Sequence, residues 1–343
     1  MAALAVPAAP AALVDASAPG GLDLVVAQAG AGVPAGADEQ PLEAAGRAAA
    51  RVSFVGALEV QWTDDHGQHD ETLAVQGGNG AVVVRGPTAV MASSQQRLVE
   101  HAGGEWDLLW PVAAGSGGRP APSPKYQLAT SAGPVVSGRT SRLVEVRQGS
   151  ELLERLYLDE QTGILLRREQ YEGGRGPYRT IGFESISFDP APAPQMPSDV
   201  VNESPTRLPA GHVPSGVSAP LALADGYQRL GAYRRSGVVQ VLYSDGLYDL
   251  SIFQQEGRLD HHGLPASRVS VGPADKSGGW HYSWAGGHVV LWEHGGIVYT
   301  AVSDAPLDQV LTAVRSLPPA RAATSLVSRL RQACRALVQP LSG

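Results

Sequence analysis

Cysteine is almost missing: Cys334 is the only one among 343 residues. No intrachain disulfide can form, and a thiolate zinc site lacks its ligands. Charge is sparse as well. Charged residues make up 17% of the chain and the net charge is −7. No basic field faces a phosphate backbone, which argues against nucleic acid as a partner. No run approaches the ~20 consecutive apolar residues of a membrane-spanning helix. Catalytic templates are also wanting. There is no Gly-x-Ser-x-Gly elbow, and neither phosphate-cradling glycine motif follows a strand. Carboxylate pairs such as Asp64-Asp65 and Asp159-Glu160 sit in turn sequence, where Asp serves the backbone. These gaps predict a binding protein, not an enzyme, with no cofactor and no metal.

The histidines do not change that expectation. His66 and His69 flank a polar turn, and His261-His262 point in different directions from a Gly-flanked loop. His281, His288 and His294 stand among Trp280, Trp284 and Trp292, a pattern expected of ring packing on a sheet. Cys334 falls in a tail stripe and is expected to be a docked thiol.

Glycine (41) and proline (26) are plentiful, so turns are frequent. Residues 1–38 are rich in Ala, Gly and Pro and are expected to be a signal remnant or a disordered linker. Leu42, Ala45, Ala49 and Val52 recur at helical spacing. From Val52 the period becomes two: Phe54, Leu58, Val60 and Trp62 alternate with polar or small residues. Asp64–Gln68 reads as a hairpin turn, with return along Glu71–Val75. Further strands are predicted at 81–85, 88–93, 106–112, 126–130, 135–137, 141–147, 152–159, 163–171 and 178–188. So many antiparallel strands must curl to manage their edges, which creates a concave face. Phe54, Leu58, Val60, Trp62 and Leu73 are the candidate lining of an apolar cavity there, for an acyl chain; an ordinary filled core uses the same residues.

Residues 190–222 are Pro-rich and are expected to link two domains, 39–189 and 223–318. In the second, Asp245-Gly246 between apolar runs predicts a two-residue hairpin with both turn residues at positive φ. Strands are predicted at 269–271, 280–284, 288–292 and 297–302. Pro306 then opens an amphipathic helix carrying Leu307, Val310, Leu311, Val314 and Leu317. The tail 319–343 reads as a basic amphipathic helix, docked on its own domain or resting on a membrane surface.

One block is specific. Val239-Gln240-Val241-Leu242-Tyr243-Ser244-Asp245-Gly246-Leu247, closing with Leu250-Ser251-Ile252-Phe253, resembles the C-terminal domain of the MucB/RseB family of extracytoplasmic sigma-factor regulators. Leu208-Pro209-Ala210-Gly211 resembles the entry to that domain. More loosely, Phe54-Val55-Gly56, Val136-Ser137-Gly138-Arg139, Arg155–Asp159 and Thr162–Arg167 resemble N-terminal motifs of the family. The resemblance implies an α+β, β-rich fold: an unclosed antiparallel β-barrel like LolA and LolB, with covering helices, and a smaller antiparallel sheet with a helix. It implies an exported, periplasmic or extracytoplasmic protein. Such a protein binds the extracytoplasmic part of a membrane-anchored anti-sigma factor and responds to lipid or lipoprotein. Partner contact is expected mainly through the second domain, at Tyr243, Ser244, Asp245, Gly246, Leu247, Ser251 and Phe253. A lipid or lipoprotein carrier that uses the apolar half-barrel is the alternative.

Overall fold

The computed structural model describes residues 41–64, 66–78, 81–85, 90–94, 122–174, 176–188, 206–209, 212–214, 216–235, 237–259, 264, 267–271 and 278–319. The segment 1–38, the strand expected at 106–112, the His261-His262 pair and the tail with Cys334 lie outside them.

A helix, α1 (Pro41–Arg51), precedes nine strands: β1 (Phe54–Asp64), β2 (Gly67–Gly78), β3 (Ala81–Arg85), β4 (Val90–Ser94), β5 (Tyr126–Ala132), β6 (Ser141–Gln148), β7 (Glu151–Asp159), β8 (Leu165–Tyr171) and β9 (Pro177–Ser187). They form one antiparallel sheet in the order β4-β3-β2-β1-β9-β8-β7-β6-β5. Among the described residues the ends β4 and β5 are not paired to each other, so the barrel is unclosed, as the α+β expectation required. The period-two pattern of β1 is the reason for its placement. Phe54, Leu58 and Val60 are buried, while Val55 and Glu59 face out. Leu42, Ala45, Ala48 and Val52 turn the small face of α1 onto the sheet; the Ala49 side chain lies outside the described residues.

The second sheet comprises β10 (Thr206–Arg207), β11 (Gln228–Arg235), β12 (Val238–Ser244), β13 (Asp249–Glu256), β14 (Arg268–Ser270), β15 (Gly278–Trp284), β16 (Gly287–His294) and β17 (Ile297–Ser303). Its order is β10-β11-β12-β13-β17-β16-β15-β14. Every residue of β17 is buried, which fits its mostly apolar sequence, broken only by Thr300 and Ser303, at the sheet's centre. Helix α2 (Leu307–Arg315) follows, with Pro306 just outside it in extended geometry and not in the first turn. Within the Pro-rich stretch, Thr206-Arg207 still pairs with Tyr233-Arg234. Further on, Ser218 is pinned by Gln254, whose side chain accepts from Ser218 N at 2.8 Å and donates to Ser218 O at 2.6 Å.

One buried apolar cluster runs through both sheets. Tyr126, Val144, Val146, Leu156 and Leu165 of the first meet Tyr243, Tyr248, Leu250, Ile252 and Trp292 of the second, with Val310, Ala313 and Val314 of α2. The inner face of the unclosed barrel is therefore covered by the second sheet. Among the described residues no helix is long and apolar enough to cross a membrane.

Candidate functional site

The Tyr243–Leu247 block lies at the seam between the sheets, and its turn differs from the expected one. Ser244 pairs with Asp249, so four residues, 245–248, make the connection. Only Gly246 has positive φ, at 90°. The reason is the Asp245 side chain. Its Oδ1 accepts the N–H groups of Leu247 at 3.0 Å and Tyr248 at 2.8 Å, an Asx-type turn that satisfies the backbone without a left-handed Asp. Ser244 Oγ adds a bond to Tyr248 O at 3.0 Å and accepts Gly246 N–H at 3.1 Å.

The other oxygen of Asp245 reaches across the seam. Oδ2 accepts the hydroxyl proton of Tyr126 and pairs with Lys125 Nζ at 3.1 Å. Lys125 also meets Asp225 Oδ2 at 2.8 Å, and Ser123 N–H donates to Asp245 O at 2.9 Å. The Asp245 side chain is 0% exposed. Burial, followed by the Asp245 charge and hydrogen bond, holds the Tyr126 phenol well above the usual range. Tyr126 also packs edge-on against Tyr248 at 6.0 Å. Thus Tyr243, Ser244, Asp245 and Leu247 are buried within this chain, and Tyr243 donates to Pro220 O at 3.2 Å. Gly246, Ser251 and Phe253 are half-buried. Ser251 and Phe253 lie with Leu242 and Tyr282 on the opposite face of the second sheet, beside a cluster of Leu259, Trp280, Val289 and Leu291.

A second polar contact crosses the seam, and sequence reasoning missed it. Arg168 of β8 binds Glu154 of β7 through Nε, at 3.1 and 3.2 Å, and through Nη2. Its Nη1 meets Asp304, just beyond β17, at 2.8 Å. Gln170 Nε2 donates to Glu154 Oε1 at 3.0 Å and to Asp304 O at 2.8 Å. All three charged groups are almost wholly buried. Burial works against the Arg168 charge, but Glu154 and Asp304 outweigh it and hold the guanidinium protonated. Such a triad contributes little net stability, yet removing one member leaves a buried charge unpaired. Glu154 carried a signal, as a charge among Leu152, Leu153 and Leu156; Arg168 carried none, because it stands in the polar run Arg167-Arg168-Glu169-Gln170.

The candidate cavity residues form a packed bowl. Phe54, Leu58, Val60 and Leu73 are buried with Ile164, Ile181 and Phe183. Into this cluster the β15–β16 hairpin inserts Ala285, 3% exposed, together with Trp284. Trp62 is half-buried and stacks on His69 at 5.2 Å. The bowl is filled by the chain itself.

Three of the histidines are paired. His69 Nε2 meets Asp64 Oδ1 at 2.9 Å, and His281 Nε2 lies 3.0 Å from His288 Nδ1. Burial, with His281 and Arg179 adding, pushes His288 down to about 3, so it is neutral. Among the described residues no cluster of three His, Cys, Asp or Glu is placed for a metal.

The looser N-terminal motifs also have structural work. Ser137 (φ 50°) and Gly138 (φ 75°) form a two-residue turn with both φ positive, where a strand over 135–137 was expected. It carries Arg139 to Asp159, with Nε–Oδ1 at 2.6 Å and Nη2–Oδ2 at 3.1 Å. Asp159 Oδ2 also accepts from Thr162 N and Oγ1 at 2.8 and 2.7 Å. Burial alone would raise the Asp159 carboxyl, but the Arg139 and Thr162 donors outweigh it and lower it.

No protein-family model matches the chain, and no curated protein matches it by sequence. Solved structures are similar to it in fold. MucB in complex with MucA(peri) aligns over 82% of this chain and 98% of that one, at 17% identity and a TM-score of 0.46. The Pseudomonas aeruginosa MucA/MucB complex gives 18% identity and 0.47 over 82% and 98%. MucB alone gives 19% and 0.46 over 81% and 96%.

Proposed function

We propose that this chain is an extracytoplasmic, non-catalytic regulator of the MucB/RseB type. It holds the extracytoplasmic segment of an anti-sigma-factor-type membrane protein and responds to an acyl-chain lipid or lipoprotein. The observation that carries the reading is the near-continuous family pattern at 239–253, together with what its residues do: Asp245 is the polar hinge point between two sheets.

Because Tyr243, Ser244, Asp245 and Leu247 are buried, their role in this proposal is to hold the seam. Partner contact falls to the half-buried face that carries Ser251 and Phe253 with Leu242 and Tyr282, an apolar surface suited to an amphipathic segment. The lipid acts at the bowl, where an acyl chain would take the place of Trp284 and Ala285 among Phe54, Leu58 and Val60.

Capture of the full-length chain on the extracytoplasmic segment of an anti-sigma factor encoded beside it tests the reading. Phe253→Arg should abolish capture. Undiminished capture would remove this surface, and no capture of the parent would remove the partner. Native mass spectrometry tests the lipid arm: repeated absence of bound lipid, after exposure to anionic lipid micelles, would strike it out.

A further inference from the structure

The face of the first sheet that carries Glu59, opposite buried Leu58 and Val60, holds a pocket that has no part in the seam. Residues 134–137 fold back over β1, β8 and β9 and leave a cavity of about 290 Å³. Its floor is polar and largely settled. Arg167 lies flat on the sheet, its stem over Gly182, where an added Cβ would stand 3.2 Å from Arg167 Cγ. Arg167 Nε donates to Glu169 Oε1 at 2.9 Å. Glu169 Oε2 accepts the hydroxyls of Tyr157 at 3.0 Å and Tyr171 at 2.7 Å. Both oxygens of Glu169, 8% exposed, are therefore in use, and its charge is balanced by Arg167 through Nε.

A second carboxylate on the wall, Glu59, has no such partner. Its Oε1 accepts from Gln61 Nε2 at 2.9 Å, and no ion pair reaches it among the described residues. The pocket thus holds two carboxylates and one guanidinium. An anion entering would meet Glu59 uncompensated, while a cation would complete the charge balance.

The roof is set in advance. Val136 and Arg139 exchange both backbone hydrogen bonds at 2.9 Å, Ser137 Oγ donates to Phe183 O, and Arg139 is tied to Asp159. A preformed roof lowers the ordering cost of binding. At the rim stands Val135, 67% exposed, whose methyls suit the aliphatic stem behind a charged head.

We propose that this pocket receives a small cationic group, the ammonium or guanidinium head of a free amine or of a partner's basic side chain, with Glu59 as its counter-charge. A wall of this size and polarity fits one such head and its stem, not an acyl chain. The proposal stands independently of the sigma-factor reading.

Amide chemical-shift titration of the full-length chain tests it, with agmatine as the free amine and a blocked Gly-Arg-Gly peptide as the side-chain source. The expected result is shifts confined to residues 59–61, 135–138 and 180–183. Binding should weaken about five-fold in Glu59→Gln, the upper end for a solvent-facing ion pair, and vanish in Glu59→Lys. Whichever ligand binds more tightly identifies the source. The proposal is overturned if neither ligand shifts these amides at tens of millimolar, if Glu59→Gln binds as the parent does, or if acetate produces the same response.

Discussion

Replacing Asp245 by Asn keeps the shape of the side chain and removes its charge, which makes it a direct probe of the seam. In the parent, Oδ1 serves two backbone N–H groups while Oδ2 faces the Tyr126 hydroxyl and the Lys125 ammonium. An amide can keep only one of these arrangements. If its oxygen stays with Leu247 and Tyr248, its NH2 confronts Lys125; if it flips, its NH2 confronts the two backbone donors. Either way a side chain that is 0% exposed has donor facing donor. Breaking a buried charged pair costs about 3–5 kcal/mol. Lys125 keeps Asp225 at 2.8 Å, so about 3 kcal/mol is expected. Urea unfolding reads this out: with a slope of ~3 kcal/mol/M for a chain of this size, the midpoint should fall by about 1 M. Tyr126→Phe removes one of the donors and should cost about 1–2 kcal/mol. In a double-mutant cycle the two changes should couple by about 1 kcal/mol. If Asp245→Asn lies within about 0.5 kcal/mol of the parent, or if the cycle is additive, the seam is not held in this way.

Three further perturbations bear on other contacts. Arg168→Met should destabilise by about 3–5 kcal/mol, because it strands Glu154 and Asp304; adding Glu154→Leu should recover part of the loss in the same urea assay. Arg139→Gln should cost about 1–2 kcal/mol at neutral pH. The Asp159 carboxyl is lowered in the folded state, so its contribution is present above the unfolded value near 4 and is lost as pH falls through the folded value. The parent and Arg139→Gln should therefore converge at low pH, and a constant gap down to pH ~2 would contradict the linkage. Gly286→Ala places a Cβ 1.9 Å from the Trp284 ring, so the ring must leave the bowl. Tryptophan emission should shift to the red with a loss of about 1–3 kcal/mol, and unchanged emission would mean that the hairpin tip is not seated as described.

Local patterns were readable where local physics decides. The alternation at Phe54, Leu58 and Val60 marked both a strand and its buried face, and Asp245-Gly246 marked a turn. The turn's type was not readable, because Asp245 replaces a left-handed backbone with side-chain acceptors and Tyr248 is drawn inward against Tyr126. Paired positive φ occurs instead at Gly295-Gly296, between β16 and β17, and at Ser137-Gly138, in sequence that reads equally well as strand. The filling of the bowl was hidden for a different reason. Ala285 lies more than two hundred and twenty positions from Phe54 and Leu58, and apolar residues lining a cavity look the same as apolar residues filling one. A separation of 136 positions likewise concealed Arg168 and Asp304 as partners, though Glu154 among leucines was a legible sign that some partner existed.

The pairing of β1 with β9 has a consequence for how the chain is made. Val55 lies beside Ser187 and Trp62 beside Arg179, so strands more than a hundred residues apart share the middle of the first sheet. During vectorial synthesis the earliest strand waits, with one edge unpaired, until nearly all of that sheet has left the ribosome. The inner face waits longer, until Asp245 and Asp304 arrive to meet Tyr126 and Arg168. Such a chain stays loose for most of its elongation and closes late, which exposes it to aggregation and holdase capture, and also keeps it threadable should it have to pass through a membrane pore before folding.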